Sequence, residues 1–214
     1  MRLRRQRVER QLTLSERLSV ACDRGFFERP PDAVAYDLVG SWLVLHDGAS
    51  VCRALIVETE AYGGFNDPAS HAFRGPTKRS EIMFGPPGYL YVYLIYGMHW
   101  CMNVVTERSG TPSAVLLRAA ELRVATSDGA KDRSISLRGP GNLTRGLGIT
   151  GADNGMDCCG GVDRFLTFHR GRVDPTVPTV QSTRIGISRE VERPSRYFLE
   201  GHVAVSRTPL RGST

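Results

Sequence analysis

Residues 88–106 read GYLYVYLIYGMHWCMNVVT, and this stretch decides the fold class. From Tyr89 to Tyr96 the chain alternates with a period of two, the signature of a strand. Tyr89, Tyr91 and Tyr93 fall on one face; Leu90, Val92 and Leu94 fall on the other. Tyr96-Gly97 then breaks the run, and Met98 to Thr106 reads as a return strand. The pair forms an antiparallel hairpin with Tyr96 at or near its tip.

The segments on either side extend the same picture. Trp42 to Leu45 reads as a strand, His46 to Ser50 as a turn, and Val51 to Tyr62 as a longer strand. Upstream, residues 13–28 are expected to form a short helix. A second helix opens at Pro30-Pro31-Asp32 and closes at Gly40, with proline first and glycine last. Downstream, Val115 to Leu117 is a short apolar strand running into Arg118, and residues 119–135 are expected to be helical and then loop. Gly139-Pro140-Gly141 leads into a further helical piece, NLTRGLGIT. FLTFH, TRIGI and RYFLE read as later strands. Short strands with few helices predict an α+β (mixed α/β) domain built on a curved antiparallel sheet, with surrounding helices and a protruding β-hairpin. Residues 1–12 are expected to be a basic flexible tail and residues 13–214 a single domain.

Composition narrows the function. The chain has 214 residues, 41% hydrophobic and 23% charged, as expected of a soluble globular domain. No apolar run approaches the length that spans a bilayer. Arg2, Arg4, Arg5, Arg7 and Arg10 are not followed by a long apolar segment, so a secretory signal is not indicated and a cytoplasmic protein is expected. The net charge of +6 suits a polyanionic partner. Arginine supplies nearly all of the positive charge, with Lys78 and Lys131 the only lysines; both phosphate binding and codon usage account for that bias. The five cysteines (Cys22, Cys52, Cys101, Cys158 and Cys159) are odd in number and contain no CxxC pair, so neither a disulfide framework nor a zinc site is indicated.

Several residues stand out chemically. Glu58 and Glu60 end an apolar strand at i and i+2, on one face with Tyr62. That pattern fits a solvated strand face; it also fits a carboxylate beside an aromatic wall, able to act as general base. An aromatic at a hairpin tip has little core to reach and can wedge between base pairs. Residues 63–88 form a long irregular segment of the kind that is functional or disordered. It contains His71, which on its own reads as a surface or hydrogen-bonded histidine. Arg118 follows three apolar residues and needs a partner if buried, for which Glu60 is the obvious type. Asn103 is disfavoured in a strand, which suggests a specific polar contact.

Three runs, VETEAYGGFNDPASHAFRGPTKRS (57–80), MFGPPGYLYVYLIYGMHWCMNVVT (83–106) and AVLLRAAE (114–121), resemble the alkylpurine (3-methyladenine) DNA glycosylase family. The resemblance is strong over residues 55–121 and weaker on either side. It implies a mixed α/β domain whose hairpin enters the DNA minor groove. It also implies that Glu60 is the general base and that Arg118 helps to hold the nucleophilic water. Tyr62 and His71 would sandwich a flipped base, with Tyr93 as a third wall and the His71 N–H on the base edge. Asn103 would disfavour normal guanine. Tyr96, flanked by Met98, would fill the gap left by the nucleotide. Phosphate contacts are expected from Arg74, Lys78 and Arg79, so binding should weaken with salt. Asn142 and Ser80 depart from the lysine and asparagine of most bacterial members.

The implied activity is base flipping followed by hydrolysis of the N-glycosidic bond, acting on 3-methyladenine, 7-methylguanine, hypoxanthine or ethenoadenine in double-stranded DNA. No metal, other cofactor or membrane is expected, the protein is expected to be a monomer, and water as nucleophile implies no lyase activity. Two competing classes are a nucleic-acid-binding module without catalysis and a hydrolase built on the carboxylate pair Glu58 and Glu60.

Overall fold

The computed structural model describes residues 20–48, 50–124, 133–160, 164–171 and 176–207. The expected tail at 1–12 lies outside them. Two long strands form the spine, β3 (Ser50–Tyr62) and β6 (Ser113–Val124), paired antiparallel along most of their length. Each is long enough to hold two different neighbours on its second edge. β2 (Trp42–Asp47) pairs with the first half of β3, and β10 (Arg196–Leu199) pairs with its end at Glu58 to Glu60. β5 (His99–Thr106) pairs with the start of β6, and β7 (Arg133–Leu137) with its end. β4 (Leu90–Ile95), β8 (Arg164–Arg170), β9 (Thr179–Ser182) and the short β1 (Val20–Ala21) complete a sheet with ten strands among the described residues.

Helix is sparse. Among the described residues there are α1 (Arg24–Phe27), α2 (Pro31–Leu38) and α3 (Pro140–Leu147), with two short 3-10 turns at Glu81–Phe84 and Gly151–Asp153. The expected surrounding helices therefore reduce to two of eight residues and one of four. The α+β reading holds in its coarse form: a large antiparallel sheet with few helices.

Three expectations are corrected. Of residues 13–28, expected as one helix, 13–19 lie outside those described, Val20–Ala21 is strand beside β8 and only Arg24–Phe27 of the rest is helix. The helix expected from residue 119 is strand as far as Val124, followed by strand again at Arg133–Leu137. Its Ala119-Ala120-Glu121-Leu122 run has helical propensity, but β6 is the spine of the sheet and its neighbours on both edges supply the hydrogen bonds. TRIGI is not a strand: β9 stops at Ser182, and Arg184 to Ile187 leaves the sheet as a bend.

Alternation sorts the sheet into two faces. Leu90, Val92, Met102, Val104, Val115 and Leu117 point into the main core, where α2 and α3 cover them. Tyr91, Tyr93, Cys101, Asn103, Leu116 and Arg118 point the other way, into an open cleft. One row crosses four strands in register: Tyr91 opposite Asn103, Asn103 opposite Leu116, Leu116 opposite Glu60.

The loop between β3 and β4 is anchored where Gly64 passes Pro112. A Cβ at position 64 would lie 2.3 Å from the Pro112 carbonyl oxygen and 2.8 Å from its ring. Both are rigid, so Gly64→Ala must shift backbone. It is expected to cost about 1–3 kcal/mol, a Tm fall of several degrees for a chain of this size. An unchanged Tm in thermal melts would show that the loop is not fixed at this contact.

Candidate functional site

The cleft has a volume of about 700 Å³ and is lined from four strands, the β3–β4 loop and the segment after Arg184. Tyr62, His71, Tyr91, Tyr93, Asn103 and Arg118 all contribute to its wall. The structure thus brings together the expected pocket residues, which come from widely separated parts of the chain.

Its chemistry begins with a pair of irregularities in the β3–β6 ladder. The register shifts between Ile56 and Glu58 and again between Glu58 and Thr59. Glu58 stands opposite Ala119 and Thr59 opposite Leu117, which leaves Arg118 bulged between two pairs. From there its guanidinium reaches both acids: Nε donates to Glu58 Oε1 at 3.1 Å and Nη1 to Glu60 Oε2 at 3.2 Å. Both glutamates are 0% exposed, so the solvated strand face is not what this pattern encodes.

The two acids have different company. Glu58 receives two guanidinium groups, Arg118 and Arg196 (Nε at 2.7 Å), and the Ser206 N–H at 2.7 Å. Burial pushes its pKa up, but these donors more than offset that and hold it below the usual carboxylate value. Glu60 receives one guanidinium, the Ile185 N–H at 2.7 Å and the Tyr62 hydroxyl at 2.8 Å. Here burial prevails over Arg118 and the other two donors, and its pKa is raised. Its three donors thus do not return Glu60 to the ordinary value, and the acid is left a stronger base than an ordinary glutamate.

Tyr62 holds two positions at once. Burial and the neighbouring Glu60 raise its pKa far above the ordinary value, so the hydroxyl stays protonated and donates to Glu60. Its ring bounds the cleft, and the Arg184 guanidinium sits 4.7 Å from the ring centroid. Arg184 is locked in turn by Asp67, with bonds of 2.6 and 3.0 Å between side chains that are wholly buried. Glu60 itself lies one layer below the cleft, under Tyr62, Arg118 and Ile185.

The facing wall is aromatic. His71 packs edge-on against Tyr93, with centroids 4.7 Å apart, and its Nδ1 lies 2.9 Å from the Tyr91 hydroxyl. Part of the ring faces the open cleft, yet desolvation by its packed side, and then the charge of Arg79, lowers its pKa to about 4. His71 is therefore neutral at pH 7. Asn103 Nδ2 donates to the Tyr91 carbonyl at 3.0 Å, which fixes the amide at the pocket floor.

At the mouth stands the β4–β5 hairpin. Tyr96 and Gly97 both have positive φ, 52° and 68°, and the Met98 N–H closes the turn onto the Ile95 carbonyl. Such a turn matches the twist of paired strands but strains a tyrosine backbone. Tyr96 is 81% and Met98 70% exposed. Among the basic residues of the loop, Arg74 and Lys78 are exposed away from the wall, whereas Arg79 lies over the Tyr93 ring at 4.7 Å and lines the cleft. Ser80 is buried and exchanges bonds with Thr77, and Asn142 bonds Arg145 on the surface.

Comparison with known proteins agrees with this geometry. The methylpurine-DNA glycosylase family model matches residues 25–203. A protein of Anaeromyxobacter sp. is 48% identical over 190 residues (87% of this chain, 92% of that one). One of Frankia casuarinae is 45% identical over 202 residues (87% and 93%), and one of Carboxydothermus hydrogenoformans 43% over 189 residues (86% and 97%). All three carry the name "Putative 3-methyladenine DNA glycosylase". The chain belongs to the methylpurine-DNA glycosylase family. It is a DNA N-glycosylase, a hydrolase of base–sugar bonds that acts on damaged DNA in base excision repair.

More residues converge here than the sequence pointed to: Arg196 bonds Glu58, Asp67 fixes Arg184 against the Tyr62 ring, and the Ile185 N–H bonds Glu60. Nothing in the local pattern of an arginine in TRIGI or an aspartate in a loop signals a buried partner. The two glutamates share one guanidinium on one side, so they cannot flank a substrate as a glycosidase pair does. No helix among the described residues is long and apolar enough to cross a membrane.

Asp67→Ala leaves Arg184 charged and buried without its partner, and should cost about 3–5 kcal/mol in urea unfolding at pH 7. Burial raises the Asp67 pKa, but Arg184 and the Gly63 and Ala69 N–H groups outweigh it and depress the value. The pair's contribution is therefore present above the unfolded aspartate pKa and lost as pH falls through the folded one. A loss of less than 1 kcal/mol would mean that Arg184 is held by other contacts.

Proposed function

We propose that this glycosylase flips alkylated or deaminated purines from double-stranded DNA and hydrolyses their N-glycosidic bonds, with Glu60 as general base and water as nucleophile. The observation that carries the reading is a buried carboxylate of raised pKa, bonded to Arg118 and Tyr62 directly beneath a cleft walled by Tyr62, His71 and Tyr93. The names of its relatives favour 3-methyladenine as a substrate. Its compartment is proposed to be the bacterial cytoplasm, where it acts as a monomer.

A flipped base enters between Tyr62 on one side and His71 with Tyr93 on the other. Electron-rich rings attract a cationic base such as 3-methyladenine or 7-methylguanine, and a neutral His71 avoids repelling it. Asn103 and the His71 N–H read the base edge. Tyr96 fills the vacated stack and Met98 lies beside it in the minor groove, which offsets part of the few kcal/mol of unstacking. Arg74, Lys78 and Arg79 supply phosphate contacts.

Alkylation makes the purine a leaving group without added protonation. As the bond breaks, C1′ gains oxocarbenium character, which the nearby carboxylate stabilises. Water attacks C1′, Glu60 takes its proton, and the base leaves with the bonding electrons. Arg118, the longest of the three donors to Glu60, is the contact that yields most readily to a water. Among the described residues no lysine lines the cleft, which favours hydrolysis over a lyase step.

The test is excision from a duplex carrying one hypoxanthine or 3-methyladenine analogue. Strand scission should appear after hot alkali and not before it. Glu60→Gln should still bind lesion DNA but lose about 100-fold or more in excision. The acidic limb of the wild-type rate should lie above the usual glutamate range, since protonation of Glu60 on lowering the pH removes the base. Scission without alkali would refute the monofunctional reading, and full activity of the variant would remove Glu60 from the chemistry.

A second measurement concerns the hairpin. Tyr96→Ala should reduce excision from duplex DNA by about ten-fold or more, and spare excision from single-stranded DNA. An equal loss on both substrates would contradict a role in filling the stack.

A further inference from the structure

We propose that Glu58 is a positioning residue that sets the basicity of Glu60 by holding the shared guanidinium of Arg118. This inference rests on the glycosylase reading above and adds to it a residue that never touches the substrate.

The geometry is that of a closed charge cluster. It contains two carboxylates, Glu58 and Glu60, and two guanidinium groups, Arg118 and Arg196. Arg184, the next cation, is matched separately by Asp67. Among the described residues the two acids are thus matched by two guanidinium groups, which they share unevenly. Glu58 is enclosed: Oε1 takes Nε of both arginines, at 3.1 and 2.7 Å, and Oε2 takes the Ser206 N–H at 2.7 Å. Arg196 is itself fixed by Ser182 Oγ and the Ser206 carbonyl, each at 3.1 Å. Arg118 reaches Glu60 through Nη1, and that nitrogen also points towards the Ile185 carbonyl at 3.5 Å.

A buried guanidinium shared by two acids stabilises each less than it would stabilise one. Glu58 takes Nε of that guanidinium at 3.1 Å and also repels Glu60 directly, being two residues away on the same face. Burial is the first cause of the raised Glu60 pKa, and both effects add to it, leaving Glu60 less willing to stay ionised and so more basic. They also keep Arg118 beside Glu60 without letting it neutralise the acid fully. The other charged or titratable groups around Glu60 are Tyr62 on β3, Arg196 opposite it on β10, Arg184 ahead of Ile185 and Cys101 on β5. Of these, only Arg196 loses a carboxylate partner when Glu58 is changed.

The sign of the test follows. Glu58→Gln leaves one carboxylate against two guanidiniums. Glu60 is then held more firmly as an anion and becomes a weaker base. The acidic limb of kcat should move down by on the order of one pH unit, and kcat should fall roughly ten-fold with KM little changed. Arg196→Gln removes a cation instead and should move the limb up. A purely structural role for Glu58 would lower activity without moving the limb, and an unmoved or upward-moving limb in a folded Glu58→Gln protein overturns the proposal.

A third measurement needs no variant. In wild-type protein labelled with carbon-13 at the glutamate carboxyls, one resonance should titrate below the ordinary glutamate range and another above it. Two inner carboxyls that titrate together overturn the proposal even if neither variant folds. Because this readout does not require excision, it separates the two readings. A protein that excises nothing but shows the split titration loses the proposed substrate chemistry and keeps the charge partition.

Discussion

Two carboxylates buried side by side in the middle of a sheet are the constraint on which this structure turns. Isolated, each would cost several kcal/mol in desolvation and would be protonated at neutral pH. The fold sets two guanidinium groups, two backbone N–H groups and one phenol against that cost. These donors come from β6, β10, the bend after Arg184 and the last described turn of the chain. The consequence reaches beyond the site: the cluster ties the C-terminal third to β3, alongside the β10–β3 ladder and the buried Tyr197, Leu199 and Ala204.

The register shifts explain how one arginine serves both acids. In a regular ladder Arg118 would face a single residue of β3. With the shifts around Glu58 it projects between Glu58 and Glu60. A strand irregularity here performs the aiming that loops perform elsewhere. The same logic applies at the hairpin, where a strained positive φ at Tyr96 turns its ring outward from the sheet. Local departures from ideal geometry thus sit at two positions, beside the proposed base and at the proposed wedge, where the proposed chemistry needs a side chain aimed.

Much of this was legible in the sequence, and what was not has a physical reason. The tyrosine hairpin and the β2–β3 hairpin follow from strict alternation and turn residues. The pairing of Arg118 with Glu60 follows from the cost of burying an arginine. The long β6 did not follow, because its alanines and glutamate favour helix locally and only the neighbouring strands decide otherwise. Glu58 looked like a solvated residue because solvation is the commonest fate of a strand glutamate; its partners lie 60 and 138 residues away. Arg184 and Asp67 are 117 residues apart and carry no local mark. Period and propensity report on neighbours in the chain, whereas buried charge pairs are made by the sheet.

The contrast between the two glutamates also bears on how such a site tolerates change. Glu58 is the well-satisfied anion, and its low pKa makes it a stabilising element at neutral pH. Glu60 has a raised pKa, so its ionised form is disfavoured in the fold and weighs against stability as pH rises from its unfolded value through its folded one. The protein thus places a residue that stabilises it two positions from one that strains it, and ties both to one arginine. A carboxylate as comfortable as Glu58 would be too weak for the proton transfer from water proposed for Glu60. Burial is what raises the pKa of Glu60, and Arg118, Ile185 and Tyr62 limit how far it rises.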